Sequence, residues 1–180
     1  MNPQGALLFL VNFAIDLYIM LLLTRFLLQL LRADFYNPLS QFVVRATNPV
    51  LMPLRKVVPG YGGADVAALL AIVALLLGKI LLLSLLAYGG LRFSAAQLLL
   101  MVVTGLARLL LDYLFWAIIL RIVLSWVAPD PRNPVVLVVG QLTEPVMTPA
   151  RRLLPPLGGL DLSPMLVLLA IHFLRILLGL

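Results

Sequence analysis

Four apolar runs, each about 20 residues or longer, leave this chain little choice of solvent. They cover about 6–31, 66–88, 98–127 and 162–180, and each is long enough for a helix to cross a bilayer. With 63% hydrophobic and 11% charged residues over 180 positions, a soluble domain could not bury the apolar surface and still present a wettable exterior. An all-α integral membrane protein with about four transmembrane helices is expected. The third run exceeds what a span needs, so it is either tilted or broken near Gly105. The opening MNPQG lacks a basic n-region and the first run is too long for an h-region, so no cleavable signal is expected. Cysteine is absent, which excludes disulfides and thiolate metal sites. The net charge of +6 is not gathered into a Lys/Arg run, so direct nucleic-acid contact is not expected.

The polar residues repeat at an offset of 96. Asp16 answers to Asp112, Arg25 to Arg121, Asp34 to Asp130, and Asn37–Pro38 to Asn133–Pro134. Thr47, Pro49 and Pro53 answer to Thr143, Pro145 and Pro149, and Arg55–Lys56 to Arg151–Arg152. Pro59 answers to Pro155, Gly62–Gly63 to Gly158–Gly159, Asp65 to Asp161, and Lys79 to Arg175. The pattern implies a duplicated helix–loop–helix unit, with residues 1–92 as the first repeat and 93–180 as the second.

Two spans per repeat put both repeats the same way up, so loops 33–64 and 129–161 share one face. Those loops carry Arg45, Arg55, Lys56, Arg132, Arg151 and Arg152, with Arg32 at the border, whereas the other side offers little beyond Arg92. Positive residues stay inside, so both loops are expected to be cytoplasmic and both termini periplasmic, in a bacterial inner membrane.

Within the loops, Asn37–Pro38 and Asn133–Pro134 read as an N-cap followed by proline at the first helical position. The following LSQFVVRA puts Leu39, Phe42, Val43 and Ala46 on one side of a short interfacial helix. Pro49 and Pro145 are expected to stop that helix, because the residue before a proline is pushed out of the α region. A second short turn carrying the basic pair then ends at Pro59 or Pro155, and the Gly–Gly turns lead to the next span, opened in the first repeat by Asp65 as N-cap.

The string RIVLSWVAPDPRNP (121–134), followed by LTEPVMTPARRLLPPLGGLDLSP (142–164), resembles the signature of the YggT family. Its motif positions here are Asn133, Pro134, Thr143, Glu144, Pro145, Pro149, Pro155, Gly158, Gly159 and Asp161. The first repeat departs from it, with Asn48 for the glutamate, Gly60 for the second proline and Ala67–Ala68 for Ser–Pro. The resemblance covers nearly the whole chain and looks like the proteobacterial two-repeat type, with YlmG-type relatives in chloroplasts. It implies a small membrane protein linked to osmotic stress, cell division or membrane-complex assembly, and no single reaction.

Asp16, Lys79, Asp112 and Arg175 fall inside predicted spans, where an ionisable group costs at least a few kcal/mol unless paired or hydrated. Asp16 and Lys79 both lie roughly 20–24 Å from the cytoplasmic end at 1.5 Å per residue, as do Asp112 and Arg175, so each pair can meet. Such pairs either fix helix packing or form a polar pathway for an ion or small solute. Arg108, four residues before Asp112, competes for that carboxylate. Arg25 and Arg121 either snorkel toward headgroups or contact Asp34 or Asp65 and their equivalents. His172 stands alone and reads as a packed or hydrated helix residue. Arg55, Lys56, Arg151 and Arg152 anchor topology and are candidate contacts for anionic headgroups or a partner.

No nucleophile–base set, metal-ligand spacing or phosphate-cradling loop is present, so no catalytic, metal or cofactor-binding residue is assigned and no cofactor is expected. The expected function is that of a non-catalytic scaffold or assembly factor contacting lipids and other membrane proteins or itself. A small oligomeric channel or transporter component is the alternative.

Overall fold

The computed structural model describes residues 3–61, 63–128, 130–154 and 161–180; Gly62, Pro155, Gly158 and Gly159 lie outside the described residues. The described chain is all-helical: α1 (Pro3–Leu30), α2 (Pro38–Val57), α3 (Val66–Tyr88), α4 (Ala95–Val127), α5 (Pro134–Leu153) and α6 (Ser163–Leu178). Among the described residues there is no strand beyond an isolated bridge between Tyr61 and Ala64. Three helices are long and apolar enough to cross a membrane, over Gly5–Leu30, Val66–Leu86 and Ala95–Val127. The fourth apolar run folds as a helix of 16 residues, about 24 Å long, against roughly 30 Å of hydrocarbon. The third run is one unbroken helix of 33 residues through Gly105, so the break considered there does not occur.

The chain divides into two compact units. The first comprises Met1–Leu30 and Phe42–Leu106, and in it α1 packs along α3. Ile19 and Leu22 of α1 and Ala67, Ala68 and Ile72 of α3 are fully buried. Lipid tails give apolar side chains no hydrophobic reason to associate, so contact between spans depends on close packing, which small residues such as these alanines permit. Asp65 caps α3 by accepting from the Ala68 backbone N–H at 3.2 Å. At the other end Gly89 terminates α3 in the left-handed conformation (φ 68°), which glycine adopts without a Cβ penalty.

The second unit comprises Leu31–Gln41 and Ala107–Leu180. Its core joins Leu111 and Ile118 of α4, Met147 and Ala150 of α5, and Val167 and Ile171 of α6. Asn133 caps α5 with Pro134 next, accepting from the Val135 N–H at 2.9 Å. Asn37 does the same for α2, accepting from Leu39 N–H at 2.9 Å, and its own Nδ2 donates to the Pro134 carbonyl at 2.8 Å.

One expectation is corrected. Pro49 and Pro145 do not stop their helices; α2 runs through Pro49 and Pro53, and α5 through Pro145 and Pro149. Each pair is spaced by one turn, so the missing N–H groups fall on one side, and all four prolines lie on exposed surface. The carbonyls they free can therefore find partners outside the protein. On the buried side Thr47 Oγ1 donates to the Val43 carbonyl and Thr143 Oγ1 to the Val139 carbonyl, both at 2.7 Å. The helices thus continue with their defects facing outward. The buried line of α2 is Ser40, Val43, Thr47 and Leu51, while Phe42, expected beside Val43, is 59% exposed.

Candidate functional site

The charged residues within the apolar helices come together in the two combinations expected. Lys79 Nζ lies 2.5 Å from Asp16 Oδ1, joining α3 to α1. Arg175 donates through a terminal guanidinium nitrogen to Asp112 Oδ1 at 2.5 Å, joining α6 to α4. The Arg175 guanidinium also sits over the Phe115 ring, 4.9 Å from its centroid, which helps hold the charge on an apolar helix. Arg108 approaches Asp112 only to 3.9 Å. These pairs are not sealed in a dry interior. Asp16 and Asp112 are each close to half-exposed, at 46% and 45%.

A second cluster gathers around Glu144 on α5. Arg121 of α4 donates two hydrogen bonds to Glu144 Oε2, each 3.1 Å, and a third to Thr143 Oγ1 at 2.7 Å. Arg151, two turns along α5, reaches Glu144 Oε1 at 2.7 Å and Asp161 Oδ2 at 3.3 Å. Thr148 Oγ1 donates to Glu144 Oε1 at 2.8 Å. Arg151 above all, with Thr148 and Arg121, holds the Glu144 carboxyl down at about 2 against the opposing effect of burial. Asp161 is also lowered: burial opposes, but hydrogen bonds from Ser163 and from Arg151 prevail. The same contacts push the Arg151 guanidinium up.

Arg121 therefore neither snorkels nor meets Asp130 or Asp161; its carboxylate is Glu144. The corresponding part of the first unit is sparser. Arg55 pairs with Asp65 and touches Gln29 at 3.4 Å. Arg25 Nε is buried with no hydrogen-bond partner among the described residues. Asn48 stands where the second half carries Glu144.

The four basic residues proposed as headgroup contacts split into two kinds. Arg55 and Arg151 are committed to carboxylates. Lys56 and Arg152 are exposed and make no ion pair among the described residues. Arg152 lines an open groove of about 660 Å3 on the second unit, together with Arg32, Gln141, Glu144 and Thr148. His172 is exposed on α6. Neither the hub role of Glu144 nor this groove was seen in the sequence. The signal was present, since Glu144, Thr148 and Arg151 follow one helical face at spacings of four and three, but reading Pro145 as a break hid it.

A family model described as CCB3/YggT matches residues 4–86 and 100–180. The chain belongs to the CCB3/YggT family. An uncharacterized protein of Pseudomonas aeruginosa is 48% identical over 163 residues, covering 90% of this chain and 82% of that one. A Vibrio alginolyticus protein named for its place in the proC 3' region is 42% identical, covering 95% and 92%. The uncharacterized protein YggT of Escherichia coli K12 is 38% identical, covering 96% of this YggT-family chain and 88% of its own length. No solved structure matches the chain.

Proposed function

We propose that this YggT-family protein is a non-catalytic inner-membrane scaffold or assembly factor. The observation that carries the reading is where its charge goes. Asp16, Asp112, Glu144, Asp65 and Asp161 are each joined to a Lys or Arg of the same chain. Charges spent on tying helices together stabilise an arrangement; they are not held ready for proton transfer or nucleophilic attack. Long apolar faces with Trp116, Leu99, Phe9 and Phe173 exposed suit lipid or neighbouring membrane proteins. The expected setting is osmotic-stress response, cell division or biogenesis of a membrane complex, in keeping with the family resemblance.

In this reading the chain is a duplication with four spans, α6 and its flanks making the fourth. The separation of 63 residues in both Asp16–Lys79 and Asp112–Arg175 supports the duplication. Parity and the Lys/Arg asymmetry then favour cytoplasmic loops 33–64 and 129–161 with both termini periplasmic. The partial exposure of the two mid-span carboxylates favours one second reading, a subunit of an oligomeric channel or transporter for an ion or small solute.

The test is photocrosslinking in native membranes from a reactive side chain at Arg45 or Arg132, both exposed on the loop side. A stoichiometric heterologous membrane protein is expected. Self-association alone would favour the channel.

A further inference from the structure

The groove on the second unit has a charge balance that calls for a ligand. Glu144 is its one acidic lining residue, and that carboxylate is occupied by Arg121 and Arg151. Arg32 and Arg152 line the same groove, are exposed, and make no hydrogen bond or ion pair among the described residues. Gln141 adds a spare donor: its Oε1 accepts from the Asp34 N–H at 3.2 Å, which leaves the amide nitrogen for something else.

The placement of Arg32 is itself uneconomical for the backbone. It lies two residues beyond the end of α1 at φ 51°, the left-handed conformation in which helices usually use glycine. A cation there is favoured by the dipole at the helix C-terminus, but glycine would relieve the left-handed backbone, so the position keeps its charge at a conformational cost. Segment 31–41 is held to α5 by the Asp34–Gln141 contact and by Asn37 Nδ2 to the Pro134 carbonyl, so Arg32 is presented to the groove by a fixed loop. Its place just past an apolar span sets the groove at headgroup depth.

We infer that this groove binds the phosphodiester headgroup of an anionic phospholipid, with Arg32 and Arg152 on the phosphate and the Gln141 amide nitrogen as a further donor. A guanidinium pair matches phosphate oxygens with forked hydrogen bonds, and a cavity of about 660 Å3 accommodates a glycerophosphate group. Leu31, also lining the groove, supplies an apolar side chain for the first acyl carbons. The inference goes beyond the scaffold reading and stands or falls separately from it.

The experiment is native mass spectrometry of the delipidated full chain in detergent, titrated with dioleoyl phosphatidylglycerol, dioleoyl phosphatidylcholine or inorganic phosphate. One lipid per chain is expected to bind tightly, with phosphatidylglycerol preferred over phosphatidylcholine. Arg32→Gln with Arg152→Gln should weaken it roughly 30-fold, the loss of two headgroup contacts. Arg45→Gln, an exposed cation outside the groove, should leave it within about twofold. Arg32→Gly separates binding from folding: it relieves the left-handed backbone, so melting temperature should hold or rise while lipid binding weakens roughly fivefold. Unchanged phosphatidylglycerol binding in the double variant would overturn the site. Equal weakening by Arg45→Gln would reduce it to diffuse surface attraction. Inorganic phosphate binding as tightly as the lipid would assign the arginines to a free oxyanion instead.

Discussion

Arg175 meets Asp112 at 2.5 Å across 63 residues of chain, and Lys79 meets Asp16 at the same distance and the same separation. The first bond ties α6 to α4 and the second ties α3 to α1, well inside apolar sequence. The half-exposure of the carboxylates lowers the cost of breaking such a bond below that of a sealed pair, but leaves a cation without its partner.

Asp112→Ala is therefore expected to destabilise the protein by about 1–3 kcal/mol, the usual cost of stranding a polar or charged group. Adding Arg175→Leu should recover much of that loss. Unfolding in mixed micelles measures both, and no recovery in the double variant would mean that the two residues do not support each other.

Acid should act through Glu144. Its folded-state value of about 2 lies below its ordinary 4.5, so its contribution is fully present above about pH 4.5 and is lost as pH falls toward 2. Asp161, also lowered, adds in the same direction. Melting temperature in detergent should fall over that window, and Glu144→Gln should flatten the fall without abolishing it. A Glu144→Gln protein with an unchanged pH profile would remove Glu144 from the account.

Much of this was legible in the chain, and the failures have a common cause. The two charge pairs followed from depth alone, because along an α-helix residue count converts directly to distance. The caps Asn37, Asn133 and Asp65 were legible because their chemistry is local. Pro49 and Pro145 misled because a proline breaks a helix only when the freed carbonyl and the ring have nowhere to go, and that depends on which face looks outward. Once α5 was cut at Pro145, Glu144 could not be placed on one face with Arg151. The Arg32 groove depends on a long-range contact, Asp34 to Gln141, that no local pattern encodes.

Arg25 offers a gain-of-stability test of the duplication. Its Nε is buried without a partner among the described residues, and the second half supplies a glutamate to the matching Arg121. Asn48→Glu should raise the melting temperature at neutral pH, and the gain should shrink as pH falls below about 4.5 and the new carboxylate protonates. A neutral or destabilising outcome would show that the two halves place this position differently.

Topology is checked with reporter fusions at Leu180 and within the loop near Arg132. Cytoplasmic activity is expected at Arg132 and periplasmic activity at Leu180; cytoplasmic activity at the C-terminus would sink the parallel arrangement of the two repeats.

The central claim is that the mid-span charges are structural and are not a conduction path. It is tested most directly by flux and survival with one variant, Asp112→Ala with Arg175→Leu, at protein levels matched to the unaltered chain. In proteoliposomes the unaltered protein should show no selective flux of common ions. A deletion strain carrying the neutral variant should survive osmotic shock as well as one carrying the original. Selective flux that disappears in the variant, together with loss of survival, would contradict the account and make the protein a channel or transporter component.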